Sequence, residues 1–220
     1  MPTRFKINER LELRLEDGRT NIYIDGKRFS QCKYLLINIP TDRVGNYDEF
    51  NSIDEIKNFL DSGVENEPQK YKISPEIRFW AHCSNLQAWA ENGYNTDLLE
   101  KKLAFPLLRE LGKKDPLVGL IFKEELVRRL NAGYEPVQKY ILNEYTSDLC
   151  SLSEEEADCV EWDKIKLEQL SLSNKELKEI PSFVSRLENL RRLNLSYNQI
   201  SKIENLNNLP NLQILYHFDI

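Results

Sequence analysis

Apolar residues in the last quarter of the chain recur with a fixed spacing. Leu167, Leu170 and Leu172 are followed by Leu177, Ile180, Pro181, Val184 and Leu187. A second round runs Leu190, Leu193, Leu195, Asn198, Ile200, Ile203, Leu206 and Leu209, and a third opens with Leu212 and Leu215, for a repeat of 22 to 23 residues. In L-x-x-L-x-L the last two leucines stand two apart, which is the period of a strand, so both point to one face while the residue between them points to the other. The spacing then widens to three in Ile200, Ile203, Leu206, Leu209 and Leu212, which predicts a loosely helical return segment. Each round reads as one turn of a solenoid. Asn198 falls at the corner between strand and return, where a side-chain amide can satisfy unpaired backbone groups. Lys175 holds the equivalent place in the first round, with Asn174 one residue early. Lysine cannot accept a hydrogen bond, so an irregular first corner is expected.

Elsewhere the pattern changes by segment. Arg10–Leu15 alternates, with Leu11, Leu13 and Leu15 on one face and Glu12 and Arg14 on the other, as a half-buried strand does. Asp17-Gly18 is a hairpin turn signal, Asn21–Ile24 alternates again, and Asp25-Gly26 is a second turn. Lys33–Ile39 is nearly continuously apolar and reads as the most buried strand of a small antiparallel meander, whose edges the following helices would cover. Ser52 and Glu55 stand at capping-box spacing before a short helix, Ile53 to Leu60, closed by Gly63; Asn66–Lys72 reads as a loop. Prolines just inside a start announce three helices, at Ser74-Pro75, Asp115-Pro116 and Glu135-Pro136. A fourth is predicted from Asn95 or Thr96 to about Leu111, kinked or split by Pro106. Leu117, Leu120, Ile121 and Val127 are read as the buried stripe of the third of these helices in chain order, and Val137, Tyr140, Ile141 and Tyr145 as that of the last. With Gly93, Gly112 and Gly133 in the turns, the middle of the chain reads as a stack of helical hairpins.

Residues 167–215 resemble the leucine-rich repeat family. The resemblance implies a curved solenoid with parallel strands on its concave face, a fold generally used to bind other proteins. A second resemblance covers about residues 5–150: Arg28–Pro40 (RFSQCKYLLINIP), Phe79–Leu86 (FWAHCSNL) with Trp89, and Leu103–Leu108 (LAFPLL) look like the region that precedes the repeats in a group of archaeal leucine-rich repeat proteins. It implies an architecture and an archaeal-type source, not an activity.

Composition narrows the classes that remain. At 220 residues and 40% hydrophobic content the chain can bury a substantial core in one or two domains. It contains no apolar run near the ~20 residues of a membrane span, and Met1–Arg10 is charged where a secretory signal would be apolar, so a cytoplasmic location is expected. The net charge is −6, and it is uneven: residues 46–73 carry three basic and seven acidic groups and 151–166 carry two and six, whereas residues 1–45 carry nine and six. The acidity lies in connecting segments, which read as solvated linkers. No basic stripe interleaved with aromatics points to nucleic acid. Cys32, Cys83, Cys150 and Cys159 are too scattered for a paired zinc knuckle or a disulfide framework and read as free thiols. His82-Cys83 is the adjacent pair that invites a nucleophile or metal hypothesis. Neighbours on a helix point about 100° apart, and Phe79, Trp80, Leu86 and Trp89 around them favour core packing. Glu154–Glu156 reads as a solvated helix start.

These readings make an α+β protein. A β-meander with a short helix and loop (1–73) packs with a helical-hairpin domain (74–150), and an acidic connector (151–166) leads to a leucine-rich repeat solenoid of about 2.5 units (167–220). The expected function is a non-catalytic protein–protein interaction module or scaffold, in small-GTPase signalling by family analogy. An enzyme with a cysteine or metal site near His82 and Cys83 is the alternative. Expected partner contacts are the solvent-facing repeat positions: Glu168, Gln169, Ser171 and Ser173; Arg191, Arg192, Asn194, Ser196 and Tyr197; Gln213 and Tyr216. Arg192 and Tyr197 are the expected anchors, since arginine and tyrosine are enriched among the residues that dominate interface energy. No cofactor, metal, nucleic acid or membrane is expected to bind. Ile214, Tyr216, Phe218 and Ile220 would leave an apolar open end, from which self-association is expected.

Overall fold

The computed structural model describes residues 3–30, 50–63 and 73–218. The expected strand Lys33–Ile39, the loop 66–72, Cys32 and Ile220 lie outside the described residues, as do the side chains of Phe59 and Leu60. Met1–Phe122 and Lys123–Ile220 form two compact units.

The first unit opens with an antiparallel meander of four strands in chain order: β1 (Thr3–Lys6), β2 (Leu11–Glu16), β3 (Arg19–Ile24) and β4 (Lys27–Phe29). The two Asp-Gly pairs make its tight turns. Asp17 and Gly18 have φ of 49° and 70°, Asp25 and Gly26 of 51° and 75°, the left-handed pairs a two-residue hairpin needs to match strand twist. Leu11 pairs with Ile24 and Leu13 with Ile22; Leu11, Leu13 and Ile24 are buried. On the opposite face the Arg14 guanidinium lies 3.8 Å over the Tyr23 ring. The short outer strands β1 and β4, TRFK and KRF, lack the alternation that marked β2 and β3.

Among the described residues α1 (Ile53–Gly63), α2 (Pro75–Glu91) and α3 (Lys101–Gly112) follow, and α4 (Pro116–Asn131) runs from the first unit into the second. Helix α2 packs on β2 and β3 through Phe79, Cys83, Leu86 and Trp89, and the Ser74 hydroxyl caps it by accepting from Ile77 N–H. Asp115 likewise accepts from Leu117 and Val118 N–H at the start of α4. At α1 the capping is rearranged: the Glu55 carboxylate accepts from Asn51 N–H at 3.0 Å and meets the Ser52 hydroxyl at 3.3 Å. Two buried carboxylates tie α1 to α3. Asp54 accepts from both the backbone N–H and the ammonium of Lys101, and Glu100 accepts from Lys102 N–H with the Lys57 ammonium at 3.5 Å. Arg10 clasps Asp25 through two nitrogens, at 2.9 and 3.1 Å, and donates its third to Leu111 O at 2.6 Å, placing a cation at the carbonyl end of α3.

Three expectations change here. Helix α3 starts at Lys101 rather than after Asn95 or Thr96, because the Asn95 side chain accepts from Asp97 N–H and holds a turn instead. Pro106 does not split α3; it sits one turn in, where the lost N–H costs only the bond to the Lys102 carbonyl. On α4 the buried stripe is Val118, Phe122, Leu126 and Leu130, with Glu125 and Arg129 beside it, while Leu117 and Leu120 face solvent. The expected stripe lies on nearly the opposite side of the helix from the buried one, because both faces carry apolar residues at helical spacing.

In the second unit α5 (Glu135–Glu144), α6 (Thr146–Cys150) and α7 (Glu154–Asp158) precede three short parallel strands, β5 (Gln169–Ser171), β6 (Arg192–Asn194) and β7 (Ile214–Tyr216), hydrogen-bonded in that order. Helix α5 takes Tyr134 as its N-cap, which puts Pro136 in its first turn as expected. Helix α5 packs against β5, and α6 against the 3₁₀ turn Ser182–Arg186. Helix α7 has a complete capping box between Ser153 and Glu156, and Glu156 also pairs with Lys123 at 2.9 Å. Trp162 stacks on Phe183 with ring centroids 5.8 Å apart, and its indole N–H donates to Ala157 O. The helices thereby close the first repeat turn, burying Leu167, Leu170 and Leu172.

Candidate functional site

Parallel pairing brings positions 22 or 23 apart in sequence side by side. Gln169 stands next to Arg192, and Arg192 next to Ile214; Ser171, Asn194 and Tyr216 form the next row. Between these rows Leu170, Leu193 and Leu215 turn inward, Leu193 fully buried. The ladder continues past the strands, with Leu172 N–H donating to Asn194 O and Asn174 N–H to Ser196 O. On the other side Leu195 N–H donates to Tyr216 O, and Tyr197 N–H to Phe218 O.

Asn198 holds the corner as its place in the repeat predicts. Its side-chain oxygen accepts from Lys175 N–H at 3.0 Å and Leu177 N–H at 3.1 Å, and its amide nitrogen donates to Leu172 O and Leu195 O, each at 2.8 Å. One buried amide therefore closes its own turn and the turn before it. The first corner is irregular: Asn174 and Tyr197, 23 positions apart, both have positive φ, 56° and 60°, but Glu176 adds a second at 56° that has no counterpart at Gln199.

Gln169, Ser171, Arg191, Arg192, Tyr197, Gln213 and Tyr216 are exposed as expected, as is Glu168; Ser173 and Asn194 are half-buried. Arg191 pairs with Glu168 at 3.7 Å, and Ser171 and Ser173 share a hydroxyl–hydroxyl contact of 3.1 Å. Ser196 departs from the expectation. It is 3% exposed, because its N–H turns in to the Asn194 side-chain oxygen as the chain leaves the strand. Ile214, read from its apolar character as part of the open end, stands in the row of Gln169 and Arg192; its 22-residue offset from Arg192 is the signal that finds it. At the last described turn Ile203 is 52% exposed, whereas Ile180, its equivalent one repeat earlier, is 1% exposed beneath the turn that follows it.

The other candidate centre is different in kind. Cys83 is buried against the sheet, and burial pushes its thiol up to about 12. Burial and the nearby Arg78 lower the His82 pKa, so the imidazole is held neutral. A thiol so far from ionising lacks the activated thiolate that cysteine chemistry requires. Cys150 and Cys159 are exposed free thiols. Among the described residues no three histidine, cysteine or carboxylate side chains cluster as a metal site would.

Residues 188–216 match the family model described as Leucine Rich repeats (2 copies). The match covers the second and third rounds, the part of the chain in which β6 and β7 pair. No curated protein and no solved structure matches the chain. Leucine-rich repeats commonly mediate protein–protein interaction. No helix among the described residues is long and apolar enough to cross a membrane.

Proposed function

We propose that the chain is a non-catalytic protein-interaction module or scaffold, whose last quarter is a short leucine-rich solenoid presenting its strand face to a protein partner. The observation that carries this reading is the pairing of Gln169, Arg192 and Ile214 in one row and Ser171, Asn194 and Tyr216 in the next, with Ile214 and Asn194 half-buried and the rest exposed, above a leucine core locked by Asn198. The contact set is Gln169, Ser171, Ser173, Arg191, Arg192, Asn194, Tyr197, Gln213 and Tyr216, with Ile214 added and the buried Ser196 left out. Three strands about 4.8 Å apart span only ~10 Å. A standard interface of ~800 Å² per partner is larger than this face, so a stable complex of that size also uses the N-terminal region, residues 1–150, or a longer form of the protein. A cytoplasmic location and an architecture shared with archaeal repeat proteins belong to the same proposal, and a setting in small-GTPase signalling joins it by family analogy. So does self-association through Ile203, Tyr216 and Phe218, which lie exposed at the last described turn. The raised Cys83 thiol gives no support to a cysteine-based enzyme.

Affinity capture from a lysate of the source organism, with wild type beside an Arg192→Glu, Tyr197→Ala double variant, tests the reading. Loss of one specific protein from the variant is the expected result. Retention of every captured protein would move the contact site off the repeat face.

A further inference from the structure

Charge is distributed unusually on the strand face. The whole chain is acidic, at −6, yet among the described residues of this face the only carboxylate is Glu168, and it is engaged by Arg191 at 3.7 Å. Arg192, in the middle strand, is exposed; its backbone N–H donates to Glu168 O, and no hydrogen bond or ion pair links its guanidinium to another described residue. Its row neighbours are Gln169, which is neutral, and Ile214, which is apolar. Tyr216 and Phe218 on one flank, with Tyr197 beside Phe218 through the Tyr197 N–H to Phe218 O bond, form an exposed aromatic edge.

Building on the interaction reading, we infer that this face binds a single acidic segment of another protein, with a carboxylate on Arg192 and an apolar side chain against Tyr216 and Phe218. The planar guanidinium presents paired N–H donors that match a carboxylate, and such charge-assisted pairs are the stronger hydrogen bonds. Width sets the form of the occupant. A face of ~10 Å takes one extended strand or one helix of ~10–12 Å diameter, not the flat surface of a folded domain. Arg192 and Tyr216 are one strand and two residues apart, about 8 Å between Cα atoms at ~3.3 Å per residue and ~4.8 Å per strand. An extended ligand spans that distance with its acidic and apolar side chains two to three positions apart. Because the net charge of the chain repels acidic partners at long range, recognition depends on this local cation and on the aromatic contact together.

A random heptapeptide phage library panned on the full chain, followed by fluorescence anisotropy of the synthetic consensus peptide, tests this. The expected consensus carries Asp or Glu two or three positions from Phe, Leu, Trp or Tyr. Its binding should fall at least tenfold in Arg192→Glu and in Tyr216→Ala, both exposed substitutions whose folding circular dichroism verifies. A peptide with Lys in place of the acid should prefer Arg192→Glu. An acid-free consensus that still needs Tyr216 would overturn the carboxylate assignment and leave the protein-binding face standing. Enrichment of no sequence, or of sequences indifferent to both substitutions, would sink the inference and the interaction reading together. A phosphoserine peptide binding more than tenfold tighter than its glutamate counterpart would replace the carboxylate by a phosphate and overturn the inference.

Discussion

Asn198 shows how much a single residue can carry when its side chain replaces backbone partners. It supplies an acceptor for two N–H groups of the preceding turn and a donor for two carbonyls, all at a corner with little access to water. Unsatisfied buried groups cost roughly 1–3 kcal/mol each, and water entering the corner recovers part of that. Asn198→Ala is therefore expected to lower the unfolding free energy of the second unit by about 3 kcal/mol in a urea titration; a loss under about 1 kcal/mol would show that the corner resolvates freely. Cys83 carries a different prediction at the same scale. Its thiol is raised from an ordinary 9.0 to about 12 by burial, so the unfolded chain gives up this proton more readily than the folded one. The stability it contributes is complete below pH 9 and is lost as pH rises towards 12. Cys83→Ala should flatten the alkaline limb of the stability profile. At pH 8 it should also leave unchanged the number of thiols that react quickly with Ellman's reagent, since Cys83 is not among them; a count lower by one would place Cys83 at the surface.

Elements meet through a few close contacts that decide whether they pack. A Cβ placed on Gly112, at the end of α3, would lie 2.9 Å from the Cα and 3.1 Å from the nitrogen of Gly119 on α4. Backbone cannot yield as a side-chain tip can, so Gly112→Ala should destabilise the first unit by about 1–3 kcal/mol. The reverse substitution, Gly119→Ala, meets only the Gly112 carbonyl oxygen at 3.4 Å and should be milder. Thermal melts of the two variants, compared side by side, give the order directly. The stripe of α4 makes a second test. Leu126→Ala, inside the buried face, should cost about 2–5 kcal/mol, whereas Leu120→Ala, on the exposed face, should stay within about 0.5 kcal/mol. Equal losses would mean that both faces are covered in solution.

For the whole molecule the exposed apolar groups of the last described turn matter more than net charge. Ile203 and Phe218 are both more than half exposed, whereas their equivalents one turn earlier, Ile180 and Ser196, are buried, and Tyr216 is 42% exposed. The chain should associate as its concentration rises, an effect visible by sedimentation velocity and little changed by salt because the contact is apolar. Ile203→Glu with Phe218→Glu should abolish it. A chain that stays monomeric at high concentration without these substitutions would remove self-association from the proposal. Peptide binding at Arg192, in contrast, should weaken as salt rises, and because both processes use Tyr216 and Phe218 it should also weaken as the chain associates.

Local pattern was enough wherever the chain closes its own hydrogen bonds. The Asp-Gly turns and the proline-marked helix starts at Ser74 and Asp115 follow from φ preference and need no distant partner, and the L-x-x-L-x-L strands and the corner role of Asn198 follow from the two-residue period and the repeat, which itself states which distant turn each residue meets. The short strands β1 and β4 have no such signature and exist because β2 and β3 offer them edges. Tertiary contact alone chose between two apolar faces of α4, buried Ser196 where alternation broke after Asn194, and put Ile214 into the row of Arg192. In the same way only packing raised the Cys83 thiol and left Arg192 without a counter-ion among the described residues. The physical reason is common to all of these: a sequence period states which side chains share a face, but burial, pairing and charge depend on what that face meets.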